Sequence, residues 1–377
     1  MSEPKRVLQV IGAMDRGGAE TFIMNLYRKI DRARIQFDFL VHTESSCDYD
    51  QEITSMGGNI YHLPRFYGVN LVEYKRACAD FFNQHHDYAA VHGHIGSSAA
   101  IYLTEAKKHG IFTIAHSHNT KSKNLLRRIS FGAVSYPTRF IADYFIGCSQ
   151  QAGVDRFGNG IAQSNRFAFI PNGIDVDVFR FNDAERESVR QELGIDSSTF
   201  VVGTIGRLTE QKNQSFAISV FREIHRQINN SVFIIVGRGE LEKRLKQQVS
   251  DLHLEGSVKF LGVREDTARL YSAMDIFVLT SLWEGLPVVS IEAQASGLPC
   301  FFSSAVTKEA CVSDCVRYLD VASDVSAWAK EICEARNDRG GVDVHGVRLS
   351  RADSVRDRGF DITQAMVKMT NLYLNHC

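Results

Sequence analysis

Short apolar runs alternate with helical patterns along nearly the whole chain, and this alternation restricts the possible folds more than any single residue does. RVLQVIG (6–12) reads as a buried strand, followed by a glycine turn and by AETFIMNLYRKI (19–30), whose apolar residues recur at helical spacing. QFDFLVH (36–42), YAAVHGH (88–94), IFTIAHSH (111–118), FIADYFIGCS (140–149) and FAFIPNG (167–173) read as further strands. Apolar strands separated by helices predict a parallel sheet covered on both faces. NDAERESVRQELGI (182–195) reads as a charged linker. The pattern then restarts with TFVVGTIGR (199–207), SVFIIVGRG (231–239), SVKFLG (257–262), DIFVLTS (275–281) and LPCFFSS (298–304). DITQAMVKMTNLYLNHC closes the chain as an amphipathic helix. The expected class is α/β, with two doubly wound, Rossmann-like domains joined near 172–198. Two such domains facing each other would form a deep cleft at the carboxyl ends of their strands, where ligands bind in sheets of this kind.

Length supports two cores, since 377 residues exceed what one usually holds. A net charge of −1 argues against a dedicated nucleic-acid binder. No apolar run is long enough to span a bilayer, and the start does not read as a signal peptide. The eight cysteines are scattered, and Cys311 and Cys315 form the only close pair, without a second pair or a histidine cluster to complete a zinc site. Reduced, structural thiols in a cytoplasmic protein are the expectation.

SLWEGLPVVSIEAQASGLP (281–299) sets Glu284 and Glu292, with seven residues between them, in apolar surroundings. Carboxylates are rarely buried without partners. Read as strand, loop and helix, the segment places Glu284 in the loop and Glu292 near the helix start, with Pro287 in the first turn and the amides of Val288 and Val289 free to meet an anion. The competing reading is an early-turn glutamate favoured by the helix dipole and a solvated loop residue. VVGTIGRLTEQKN (201–213) puts Arg207 and Lys212 at a strand's carboxyl end, suited to a diphosphate or to an ordinary surface pair. In IIVGRGELEKRL (234–245), Gly237 and Gly239 would let a ligand approach the backbone, a weak signal. Gly17 and Gly18 in MDRGGAE either cradle a phosphate or make a tight turn.

AHSHN (115–119) and VHGHIG (91–96) each end a strand with two histidines separated by one residue, which alternation aims the same way. Metal binding has to be weighed there, but nearby carboxylates are lacking, so a polar pocket for a hydroxylated substrate is the stronger reading. DVD (175–177) reads as structural. From Lys107 to Arg139 there are seven basic residues and no acidic one. KSKNLLRRISF (121–131) therefore fits contact with an anionic membrane surface, a solvated loop or an acceptor-phosphate site.

Taken together, GGAE, PNGID, GRLTEQKN and EGLPVVSIEAQASGLP resemble, in order and over essentially the whole chain, the retaining family 4 glycosyltransferases of the GT-B fold. The stretch from TKEACVS to SAWAKEI resembles bacterial members that build capsular and exopolysaccharide repeats. The resemblance implies an N-terminal domain of residues 1–172 with the C-terminal helix, about 357–377, packed back onto it, and a donor domain of 173–356. It implies that Arg207 and Lys212, with the Val288 and Val289 amides, clamp the diphosphate of a nucleotide sugar, UDP being the expected nucleotide. Glu284 would contact the transferred sugar and Glu292 the ribose, with Gly237 lining the donor site and Gly17 and Gly18 near the phosphates. His116 matches the family's active-site histidine, and His94, His118 and Asn119 are acceptor-side candidates. Where the family commonly has EGFGL this chain has EGLPV, so Val288 and Val289 would carry the phosphate contacts that Pro287 cannot. No metal and no further cofactor is expected. The acceptor would be a glycan or lipid-linked hydroxyl, the location cytoplasmic or peripheral at the inner membrane face, and the product a surface polysaccharide. Alternatives are a UDP-sugar epimerase on the same fold and a non-catalytic sugar-nucleotide-binding partner.

Overall fold

The computed structural model describes residues 3–118, 134–336 and 348–375. It divides into two compact units, Met1–Gly173 with Ile362–Cys377, and Ile174–Asp361. Each is built on one parallel sheet.

The first sheet contains β1 (Lys5–Ile11), β2 (Ile35–Val41), β3 (Ile60–His62), β4 (Ala90–Gly93), β5 (Phe112–Ser117), β6 (Tyr144–Gly147) and β7 (Phe167–Phe169), in the order β3-β2-β1-β4-β5-β6-β7. Strand alternation sorts β1 cleanly. Val7 and Ile11 enter a core with helices Gly18–Lys29 and Ile362–Asn375, whereas Leu8 and Val10 enter a second core with helices Leu71–Gln84 and Ala99–Lys108. The C-terminal helix buries Ile362, Ala365, Met369, Leu372 and Tyr373 in the first of these cores. Burial of a large apolar side chain stabilises by roughly 1.5–3 kcal/mol, so this helix is an integral layer of the unit.

The second sheet contains β8 (Phe200–Ile205), β9 (Ser231–Val236), β10 (Val258–Gly262), β11 (Ile276–Leu279), β12 (Cys300–Ser303) and β13 (Val316–Leu319), in the order β10-β9-β8-β11-β12-β13. The stretch expected to be a linker is instead a helix, Asp183–Glu192, capped by the Asn182 side chain. It buries Val189 and Arg190. Arg190 donates to the carbonyls of Ala273 and Thr199, and with Arg186 it grips Asp275. Charge made the segment look like a linker, but Arg190 is buried with Val189, and Arg186 one turn before it is half-buried against Asp275. The short edge strands β3 and β13 were not anticipated. Asp177 of the DVD stretch pairs with Arg180 and Arg356, a structural role. Among the described residues no helix is long and apolar enough to cross a membrane, and the seven described cysteines are free thiols.

Candidate functional site

In both sheets the strand order reverses once, between β1 and β4 and between β8 and β11. Loops leaving the carboxyl ends of such strands diverge and leave room for a ligand. The residues singled out in the sequence gather at these two places.

In the second unit, the loop after β8 runs beside the loop after β11. The amide of Leu282 donates to the Gln211 carbonyl, and the Thr280 hydroxyl to the carbonyls of Lys212 and Asn213. This brings Lys212 Nζ to 2.6 Å from Glu284 Oε1, with side chains 15% and 8% exposed, so neither is the solvated surface residue of the competing reading. Ser281 Oγ donates to the same oxygen at 2.8 Å. Arg207 is exposed two residues beyond β8, and its guanidinium has no partner among the described residues. Its carbonyl accepts from Gln214, which fixes the loop.

The helix Val288–Ala295 begins beside this pair. Pro287 is its N-cap rather than its first helical residue, so the first free amides are those of Val288 and Val289. Glu292 is buried and accepts from the Tyr271 hydroxyl at 2.9 Å. Burial pushes its carboxyl up to about 7, partly opposed by that hydrogen bond. The partners the two glutamates need are thus present in the protein: an ammonium for one, a phenol for the other. Gly237, at φ +127°, has a backbone reason to be glycine. A Cβ there would lie 2.1 Å from the Gly206 carbonyl oxygen, so the close approach is between two loops of the chain itself. Gly239 meets the Leu208 carbonyl in the same way.

In the first unit, Gly17 caps the helix Gly18–Lys29, and a Cβ on it would lie 2.3 Å from Glu20 Oε2. The space above Gly17 therefore holds a carboxylate, and a phosphate approaching Gly17 and Gly18 would have to turn it aside. At the carboxyl ends of β4 and β5, His92, His94, His116 and His118 form a stack, with neighbouring ring centroids 3.9–5.3 Å apart. Strand alternation aims all four to one side, as expected. Burial drives every one of their pKa values down, His92 to about 3 and His118 to about 4, so all four are neutral near pH 7. His92, His94 and His116 can bring nitrogens within 4.8 Å of one another. All but one of these residues' ring nitrogens already hold hydrogen bonds, to each other, to His118, to Gln9 and to Tyr373. A cation here would have to break that set. The exception is His116 Nε2, buried without a partner.

Asn119 and the 121–131 stretch lie outside the described residues. Of the other basic residues there, Lys107 and Lys108 are paired with Asp143 and Glu105, and Arg139 donates to the Arg156 carbonyl. Sequence reasoning missed Tyr271, Ser281, Gln9, Tyr373 and Asn172, and it weighed His92 only as one of a histidine pair, without giving it a role of its own.

Residues 16–178 match the profile "Glycosyltransferase Family 4" and residues 185–342 the profile "Glycosyl transferases group 1". EpsF of Bacillus subtilis (strain 168), a glycosyltransferase by name, is 31% identical over 99% of this chain and 97% of its own. The chain belongs to the family 4 glycosyltransferases. This family 4 enzyme is also 28% identical, over 76% of each chain, to the Escherichia coli UDP-Gal:alpha-D-GlcNAc-diphosphoundecaprenol alpha-1,3-galactosyltransferase. Its fold matches that of Anabaena Alr3699/HepE, solved in complex with UDP and glucose, at a TM-score of 0.78 and 19% identity over 98% of this chain and 99% of that one. The fold is GT-B, and the enzyme is a retaining glycosyltransferase that uses a nucleotide sugar.

Proposed function

We propose that the enzyme transfers a sugar from a UDP-sugar to a hydroxyl of a lipid-linked glycan in surface polysaccharide synthesis, at the inner face of the cell membrane and without a metal. The observation that carries the donor assignment is the juxtaposition of an unpartnered Arg207 with the Lys212–Glu284 pair and a helix start, all at the reversal point of one sheet. Arg207 and Lys212 take the diphosphate oxygens in charge-assisted hydrogen bonds, with the Val288 and Val289 amides beside them. Glu284 accepts from hydroxyls of the transferred sugar, and Glu292 from a ribose hydroxyl. Gly237 shapes the loop that borders the nucleotide. In the first unit, His116 faces the reacting sugar, and His94 and His118 lie on the acceptor side, a role given to Asn119 from the sequence alone. The galactosyltransferase relative, whose name includes both UDP-Gal and a diphosphoundecaprenol acceptor, supports this choice of donor and acceptor.

The chemistry follows from charge. As the bond from the anomeric carbon to the diphosphate oxygen breaks, negative charge grows on the leaving group, and fixed cations and amides stabilise it. The acceptor oxygen bonds to the same face of the anomeric carbon, and its proton passes to the departing phosphate oxygen. No carboxylate nucleophile is required, unlike in a retaining glycosidase.

The test is a calorimetric panel of nucleoside diphosphates and their sugars, run with added Mg²⁺ and with chelator. Binding of UDP and a UDP-sugar that is unchanged by chelator is expected. Preference for another nucleotide, or binding only with metal, would overturn the corresponding part of the proposal.

A further inference from the structure

The histidine stack is one part of a longer chain of hydrogen bonds. Asn172 Oδ1 lies 3.2 Å from His118 Nδ1, His118 Nε2 lies 2.7 Å from His94 Nδ1, and His94 Nε2 lies 2.9 Å from Gln9 Oε1. Gln9 Nε2 then lies 3.3 Å from the Tyr373 hydroxyl, which lies 2.7 Å from His92 Nδ1. His92 Nε2 lies 3.2 Å from His116 Nδ1, and His116 Nε2 ends the chain without a partner. Gln9 and His92 are register partners on β1 and β4, so adjacent strands set the middle of the chain, and the C-terminal helix inserts the phenol between them.

A neutral imidazole has one donor and one acceptor nitrogen, and a hydroxyl or a side-chain amide likewise passes a donor direction along. A single donor direction can therefore run the length of the chain when the Tyr373 hydrogen follows it. Gln9 as placed accepts from His94 and donates to Tyr373; with the phenol hydrogen turned to His92, His92 Nε2–H donates to His116 Nδ1, and His116 carries its proton on Nε2. Following the same direction back, His118 Nε2–H donates to His94, so His118 Nδ1 must accept, and Asn172 must present its NH₂ there. In the structure the Asn172 oxygen faces His118 Nδ1. With all four rings neutral, one of the two amides has to turn about its own axis. Turning Asn172 changes one bond, while turning Gln9 changes two.

We propose that Tyr373 turns its hydroxyl hydrogen to His92 Nδ1 and is thereby a positioning residue, which acts through His92 to hold His116 as the Nε2–H tautomer, so that His116 offers a donor rather than a base to the substrate. The consequence for transfer rests on the reading that His116 faces the reacting sugar. The tautomer itself does not. A donor here suits a sugar oxygen and leaves the acceptor's proton to the departing phosphate.

The test is ¹⁵N NMR of histidine-labelled full-length enzyme, in which protonated and bare ring nitrogens have well separated shifts. Wild type should show a bare Nδ1 and a protonated Nε2 at His116. Tyr373→Phe keeps the ring and its packing but cannot donate, so the His92 and His116 shifts should move toward a mixture of tautomers. kcat should fall several-fold with KM for donor little changed. A bare Nε2 in wild type, or shifts identical in Tyr373→Phe, would overturn the proposal. Gln9→Met supplies a second cut if the first variant folds poorly: it frees the phenol to reverse and should also mix the tautomers. Intact tautomer control with no kinetic change would instead count against the placing of His116 at the sugar.

Discussion

Replacing Lys212 with Met tests whether the pair at the donor edge is both structural and functional. The substitution keeps the length of the side chain and leaves the Glu284 carboxylate, 8% exposed, without its cation. Breaking a buried ion pair on one side costs about 3–5 kcal/mol, and the low end applies here because the Ser281 hydroxyl still donates to Glu284. For a unit of this size, about 3 kcal/mol corresponds to a fall of roughly 6–12 °C in Tm. Both tryptophans, Trp283 and Trp328, lie in the second unit, so tryptophan emission during thermal or urea unfolding reports on that unit selectively. Lys212→Met with Glu284→Gln removes both charges and should recover most of the loss. UDP affinity should fall in the single and the double variant alike, by roughly 10–100-fold for one lost charge-assisted bond of about 1.5–3 kcal/mol. A single variant as stable as wild type would refute the buried-pair argument. A double variant that regains UDP binding along with stability would refute the assignment of Lys212 to the diphosphate.

Arg207→Ala should leave Tm within about 1 °C, since the side chain is exposed and unpartnered, yet weaken UDP binding by at least tenfold in calorimetry. Unchanged affinity would remove Arg207 from the clamp. Glu292 carries a folded pKa of about 7, above its ordinary value of 4.5. Folding therefore takes up protons between these values, and this contribution, about 3 kcal/mol, is present below pH 4.5 and lost as the pH rises to 7. Glu292→Gln should flatten that slope in urea titrations at several pH values. Gly237→Ala should destabilise the second unit by more than 1 kcal/mol, through a positive φ and a collision with the Gly206 carbonyl, and urea unfolding would show it.

The fold was legible because parallel strands buried on both faces are nearly uninterrupted apolar runs. β1, β2, β8 and β9 could hardly read as anything else. The elements that escaped are those where burial is carried by the wrong kind of residue. The helix Asp183–Glu192 buries an arginine, which hydropathy counts as solvent-facing. The strands IYH and VRYL are short and only partly buried at the sheet edges. Spacing and motif position singled out Arg207, Lys212, Glu284 and Glu292 as candidates. They could not show that Lys212 and Glu284 meet, because these two sit in different loops 72 residues apart. Tyr271 and Tyr373 were invisible for a related reason. A buried tyrosine at helical spacing looks like core, and only the fold reveals what its hydroxyl reaches.

The two glutamates of the EGLP…EAQA segment are therefore not equivalent, although the sequence presents them as a pair. Glu284 lies against an ammonium in a loop, where a ligand's diphosphate would compete for Lys212 and release the carboxylate towards sugar hydroxyls. Glu292 lies inside a helix against a phenol, in surroundings that favour its neutral form. A ribose hydroxyl arriving at Glu292 would favour the ionised form by donating to it. Donor binding should then release protons near neutral pH. Calorimetry of UDP-sugar binding in buffers of different ionisation enthalpy measures that release directly, because the donor's doubly esterified diphosphate has no group that titrates near neutral pH. Near pH 6 the release should approach one proton per donor bound in wild type and none in Glu292→Gln. Equal release in the two proteins would separate Glu292 from the ribose, and leave Tyr271 as the only group it serves.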